Sequence, residues 1–143
     1  MTLTQHIALT GVAAAALTPF LGGTELVLFA VGGVLIDVDH YLLYIERRRN
    51  LSITGMFRYF NELQPIQSTI SYVGLCVFHT VDFFVLLAVL AHFYPVIYSL
   101  LAGCLFHFAI DLFDLRRKKV IFIRPYFLLE HFIRRRSKGY PWY

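Results

Sequence analysis

Four stretches of this chain are long and apolar enough to cross a bilayer, roughly residues 3–21, 24–45, 70–94 and 96–115. A spanning helix needs about 20 mostly apolar residues to cover a hydrocarbon core about 30 Å thick. No other feature limits the fold as strongly. In lipid the backbone must satisfy its own hydrogen bonds, which for segments of this length means helices. The composition agrees: of 143 residues, 58% are hydrophobic and 15% charged, with a mean hydropathy of +0.63. That leaves too little polar surface for a water-soluble domain. The expected fold is an all-α membrane protein, a four-transmembrane-helix antiparallel bundle with a cytoplasmic interfacial C-terminal helix.

The punctuation supports that topology. Gly22-Gly23 separates the first two segments and Pro95 the last two, and short turns make antiparallel neighbours. The first segment carries small residues at Ala14–Ala16 but no basic n-region, so it reads as a retained span rather than a signal peptide. The bundle is expected over residues 1–119, with a polar cytoplasmic loop at 46–69. Residues 120–143 mix Phe, Tyr, Trp and Arg, as an interfacial amphipathic tail with an aromatic anchor does. His92, Glu130 and His131 read as interfacial or surface groups.

The 13 Lys/Arg outnumber the 9 Asp/Glu. They cluster at Arg47–Arg49, Arg116–Lys119 and Arg134–Lys138 beside apolar segments, and no nucleic-acid-binding motif accompanies them. This is a topology pattern, and nucleic acid is not an expected partner. In an up-down-up-down bundle all 13 fall on the side that holds both termini and the 46–69 loop. The positive-inside rule makes that side cytoplasmic. A multi-pass protein of a bacterial or archaeal inner membrane follows, with both termini in the cytoplasm. Cys76 and Cys104 form no CxxC pair and read as small buried hydrophobes.

The apolar segments nonetheless carry ionisable groups. His6 lies in the first; Asp37, Asp39 and His40 in the second; His79 and Asp82 in the third; His107, Asp111 and Asp114 in the fourth. Such residues are costly in lipid, face the interior, and mark function by default. Counted from the turns at 1.5 Å per residue, His6, Asp37, His79, Asp82, His107 and Asp111 gather about 18–25 Å from the outer side, in the cytoplasmic half of the core. His107, Asp111 and Asp114 share one helix stripe, which Gly103 extends and opens to close approach by a neighbour. Asp37 and His40 share a face. Asp39 points away from Asp37 on an ideal helix, so it joins the same site only if the helix ends or unwinds there; otherwise it orients a neighbour.

Imidazole and carboxylate at helical spacing form a metal-ligand pattern, and a cation compensates buried carboxylate charge. One or two divalent ions are expected, Zn²⁺ first, with Mn²⁺ or Fe²⁺ as alternatives. A metal pair can activate water and hold a phosphoryl oxygen.

Three elements resemble a known family. "HIALTG" (His6–Gly11), "GVLIDVDH" (Gly33–His40) and "GCLFHFAIDLFD" (Gly103–Asp114) are similar to the histidine-glycine, Leu-Pro-Asp-Ile-Asp-His and Gly-x-x-x-His-x-x-x-Asp elements of small inner-membrane proteins described as membrane-bound metal-dependent hydrolases. That family is distantly similar to zinc-dependent phospholipase C. Here Ile36 stands where the family has Pro, Gly74-Leu75 lies near the position of its His-Arg pair, and Asp82 is an addition. The resemblance implies a hydrolase.

The combined expectation is metal-dependent hydrolysis of a phosphoester in a membrane lipid or lipid-linked substrate reached from the cytoplasmic leaflet. Asp37, His40, His79, His107, Asp111 and Asp114 are the expected metal residues. His6, Asp39 and Asp82 are the expected acid/base or orienting groups, and Arg58 and Arg124 the expected grips on a lipid phosphate. A homo-oligomer is compatible with this reading. Two other classes fit the same residues: a proton or metal transporter or channel, and a non-catalytic membrane scaffold, with haem bound through paired histidines as one form.

Overall fold

The computed structural model describes residues 2–70 and 72–138. The described residues are all-helical, without a strand. Among the described residues seven α-helices follow in order: α1 Leu3–Leu17, α2 Gly23–Leu35, α3 Val38–Arg48, α4 Ile53–Leu63, α5 Val81–Phe93, α6 Ile97–Arg117 and α7 Leu128–Lys138. Among the described residues two segments, rather than the four expected, are long and apolar enough to cross a membrane: Gly23–Arg48, which takes in α2 and α3, and Ile97–Arg117. The last residues of the expected aromatic anchor, 139–143, lie outside the described residues.

Several expected boundaries are corrected. Helix α1 ends at Leu17 rather than near residue 21. The third apolar segment is not helical from residue 70; apart from a 3₁₀ turn at Val77–His79, helix begins only at Val81. Gly74 there takes φ +145°, and the Thr80 hydroxyl donates to the Val77 carbonyl at 2.7 Å. Such local bonds compete with helix. The polar loop contains a helix, α4, whose N-cap Ser52 accepts from the Gly55 N–H at 3.0 Å.

The chain divides into two compact units. One comprises residues 1–36 and 82–114, the other 37–81 and 115–143. In the first unit α1 packs on α2, and a Thr2/Gln5 capping box starts α1. The buried residues of α1 are His6 and Thr10, while Ile7, Leu9 and Val12 are exposed. Glycines set the approach of α2 and α6. A Cβ on Gly103 would lie 2.1 Å from the Phe29 carbonyl oxygen, and one on Gly32 would lie 2.3 Å from that of Leu100. Gly103 thus does what its place on the stripe suggests. Phe84 and Phe108 meet edge-on between α5 and α6.

The second unit has an aromatic and aliphatic core of Tyr44, Tyr59, Leu63, Ile70, Val120 and Ile123. Its non-helical stretch, residues 72–80, is tied at both ends. Val73 N–H donates to the Ile123 carbonyl, and Val81 N–H to that of Tyr126, each at 2.9 Å. At the first of these ends, Arg47 Nη2 also donates to the Val73 carbonyl at 2.6 Å. Helix α7 is joined to the preceding segment through Arg134, which meets Glu130 at 2.5 Å and donates to the Phe122 carbonyl at 2.6 Å.

Candidate metal centre

Each unit holds its own group of histidines and carboxylates. In the first unit the His6 and His107 rings stack with centroids 3.8 Å apart. His6 Nε2 lies 3.2 Å from Asp111 Oδ1. His107 Nδ1 lies 3.0 Å from the Gly33 carbonyl oxygen. A carbonyl only accepts, so Nδ1 carries the proton and Nε2 is the basic nitrogen. The Thr10 hydroxyl donates to the same carbonyl at 3.1 Å. All three ionisable side chains are buried, as is Asp114 one turn further along α6.

The second unit uses a helix break. Helix α2 ends at Leu35, and Asp37 stands at the N-cap of α3 with ψ −1°. The chain unwinds there, so Asp37 and Asp39 reach the same imidazoles. His40 Nδ1 lies 3.2 Å from Asp37 Oδ1 and 3.0 Å from Asp39 Oδ1. Asp39 Oδ2 accepts from the Phe78 N–H at 3.0 Å and meets His79 Nδ1 at 2.9 Å. The other His79 nitrogen, Nε2, faces Asp37 Oδ1 at 3.5 Å. His79 is fully buried and Asp39 is 2% exposed.

The chemistry of His79 follows from those two distances. A carboxylate on Nδ1 fixes the proton there and leaves Nε2 with the lone pair. A lone pair opposite a carboxylate oxygen repels it, so a proton or a cation must mediate. Zinc bonds of about 2.0–2.2 Å in a tetrahedron put donor atoms about 3.4 Å apart, close to the spacing found. Ligand atoms of Asp39, His40 and Cys76 also lie within 4.8 Å of one another. A buried Asp/His cluster could therefore hold a metal ion, and its oxygen, nitrogen and sulfur donors suit a borderline ion.

Other expected residues fall elsewhere. Asp82 is exposed in the first turn of α5. Arg58 is exposed on α4, whereas Arg124 is buried in the segment between α6 and α7. Cys76 is the residue the sequence spacing missed. It is buried among potential ligands, with no CxxC partner that could have signalled it.

Outside the segments long and apolar enough to cross a membrane, burial raises the Tyr59 hydroxyl above its ordinary value. Burial, with Arg135 next in effect, holds His131 below its own. The Tyr72 hydroxyl and His131 Nδ1 form a buried hydrogen bond.

Comparison of the chain with family models, with curated proteins and with solved structures found no match. The functional reading therefore rests on the residues and their geometry.

Proposed function

We propose that this chain is a membrane-embedded, metal-dependent hydrolase that cleaves a phosphoester of a lipid or lipid-linked substrate from the cytoplasmic leaflet. One observation carries the reading: buried His79 has Asp39 on Nδ1 at 2.9 Å and Asp37 opposite Nε2 at 3.5 Å. This is the carboxylate–histidine arrangement that orients metal ligands. When bound, a divalent ion would polarise a phosphoryl oxygen and activate water.

The chain's own residues do the rest. Asp39 fixes the His79 tautomer, and Asp37, His40 and His79 are the donors. In the first unit, His107, Asp111 and Asp114 are the corresponding donor set. His6, held against Asp111, keeps a proton at Nε2 where it could be exchanged. Arg58, exposed on α4, is the grip on a lipid phosphate.

The membrane setting is supported by α1 and α5. Both bear exposed apolar side chains, including Ile7, Val12, Val85 and Leu86, while α1 buries a histidine and a threonine. A water-soluble helix has the reverse pattern. At 15 and 13 residues these helices are short for spans. We place them in the bilayer beside the two longer segments, with the Lys/Arg clusters and both termini on the cytoplasmic side. The proposed multi-pass inner-membrane hydrolase matches the family resemblance carried by Gly33–His40 and Gly103–Asp114.

Elemental analysis of the detergent-purified full chain tests this reading, with a phospholipid-turnover assay alongside. Wild type should carry about one or two zinc, manganese or iron ions per chain and release phosphorylated headgroup. The Asp37→Ala/His79→Ala variant should lose both metal and turnover, the latter by about 100-fold or more. A wild-type protein without stoichiometric metal, after chelator-free purification and metal resupply, would overturn it. A proton relay would then account for the imidazole–carboxylate pairs.

A further inference from the structure

The geometry points to Cys76 as a thiolate ligand that, with Asp39 and His40, selects a zinc-like ion over magnesium- or calcium-like ions. This inference rests on the metal reading of the second unit and deepens it by naming the donor that sets the ion's class.

One ligand atom from each of Asp39, His40 and Cys76 lies within 4.8 Å of the other two. Asp39 and Cys76 are 2% and 3% exposed. Asp39 divides its oxygens, with Oδ2 committed to His79 and the Phe78 N–H and Oδ1 turned to His40. Sulfur is the informative donor. Magnesium and calcium take oxygen ligands and magnesium keeps several waters, whereas zinc and cobalt accept thiolate, imidazole and carboxylate together.

Backbone geometry brings the thiol to this place. The stretch through residues 72–80 runs against α3, anchored by Arg47 on the Val73 carbonyl. At Gly74 a Cβ would lie 2.6 Å from Leu43 Cδ1, and φ is +145°, so glycine permits the close approach. Two residues later Cys76 sits at the N-cap of the 3₁₀ turn, where its carbonyl accepts from the His79 N–H at 3.1 Å. The same turn that presents His79 and the Phe78 N–H to Asp39 therefore presents the thiol. Cys104 provides an internal contrast. It is equally buried, but it packs beside Gly32 and belongs to no such ligand group among the described residues.

The test is cobalt(II) substitution of the detergent-purified full chain, followed by absorption spectroscopy. Wild type should show a thiolate-to-cobalt charge-transfer band in the near ultraviolet together with visible ligand-field bands. Excess magnesium should leave them in place and zinc should bleach them. Cys76→Ser should abolish the charge-transfer band and weaken cobalt binding by more than about 10-fold; Cys104→Ser should leave both unchanged. Cobalt bound by wild type without a charge-transfer band would overturn the thiolate ligand while leaving the hydrolase reading standing. A band that survives Cys76→Ser would do the same. No stoichiometric cobalt or zinc in wild type would overturn both. The wild-type spectrum decides the matter by itself, so a poorly folding variant does not shelter the proposal.

Discussion

The two compact units place their ionisable groups by different means. In the first, helices pack through glycines, and His6, His107 and Asp111 project from regular helical positions. In the second, a helix break at Asp37 and a non-helical stretch around Gly74 bring Asp37, Asp39, His40 and His79 together. Helix packing holds its groups through backbone proximity, so it should fail at a glycine. A loop threaded against a helix holds its groups through specific hydrogen bonds, so it should fail at a carboxylate.

The sharpest break is expected in the first unit. Gly103→Val would place a Cβ 2.1 Å from the Phe29 carbonyl oxygen and 2.9 Å from the Gly33 nitrogen. Both are backbone atoms, so no side chain can rotate away and the helices must separate. We expect a loss of more than about 4 kcal/mol, seen as no monodisperse protein on size-exclusion chromatography. A folded Gly103→Val protein would mean that the close approach of α2 and α6 is not what holds this unit.

The second unit should yield at Asp39. Asp39→Ala removes the acceptor for the Phe78 N–H and the carboxylate that meets His79 and His40. Leaving buried His79 without its carboxylate, together with the half-buried His40 and Phe78 N–H, costs about 3 kcal/mol, measurable by thermal unfolding in detergent. The same variant should lose its metal, whereas Asp39→Asn should keep more of its stability than of its metal. Equal losses in the two variants would make the contribution of Asp39 charge rather than shape.

Gly74→Ala gives a smaller effect and separates backbone strain from ligand chemistry. Its φ of +145° and the 2.6 Å approach to Leu43 Cδ1 should cost about 1–3 kcal/mol. Every proposed ligand is kept, so metal content should survive with weaker affinity. Unchanged stability and affinity would mean that the stretch through residues 72–80 can shift without disturbing the site.

This contrast also explains what the sequence could and could not disclose. The stripe Gly103, His107, Asp111 and Asp114 was legible because α6 is one regular helix, and spacing alone sets its face. The participation of Asp39 depended on whether the helix unwound. That is a tertiary outcome, and the chain does break at Ile36-Asp37. Hydropathy predicts continuous helix over residues 70–94, but it does not register the left-handed φ at Gly74 or the Thr80 hydroxyl bonded to the backbone. Cys76 was missed for the same reason. Its neighbours at the site are His40 and Asp39, about 36 residues away in sequence, and no local spacing encodes them.

The mildest effect is expected at His131 on α7, which is not among the proposed ligands. Burial lowers its pKa below the ordinary 6.5, Arg135 and Arg47 add to the effect, and Glu46 opposes it. The native state therefore holds neutral His131 at pH values where the unfolded state already binds a proton. By linkage, stability rises with pH wherever the unfolded chain binds more protons. The contribution is fully present above about pH 6.5, and it is lost as the pH falls through that value toward the lowered native one. Amide hydrogen exchange across α7, corrected for its intrinsic pH dependence, should show protection falling between pH 7.5 and 5.5, while α6 changes little. His131→Gln should flatten that dependence. Tyr72→Phe, which removes the buried hydrogen bond to Nδ1, should cost about 1 kcal/mol and leave metal content intact. A Tyr72→Phe protein that lost its metal would show that α7 supports the ion-binding stretch through Tyr72, and the second unit would have to be treated as one coupled network rather than a site with an attached helix.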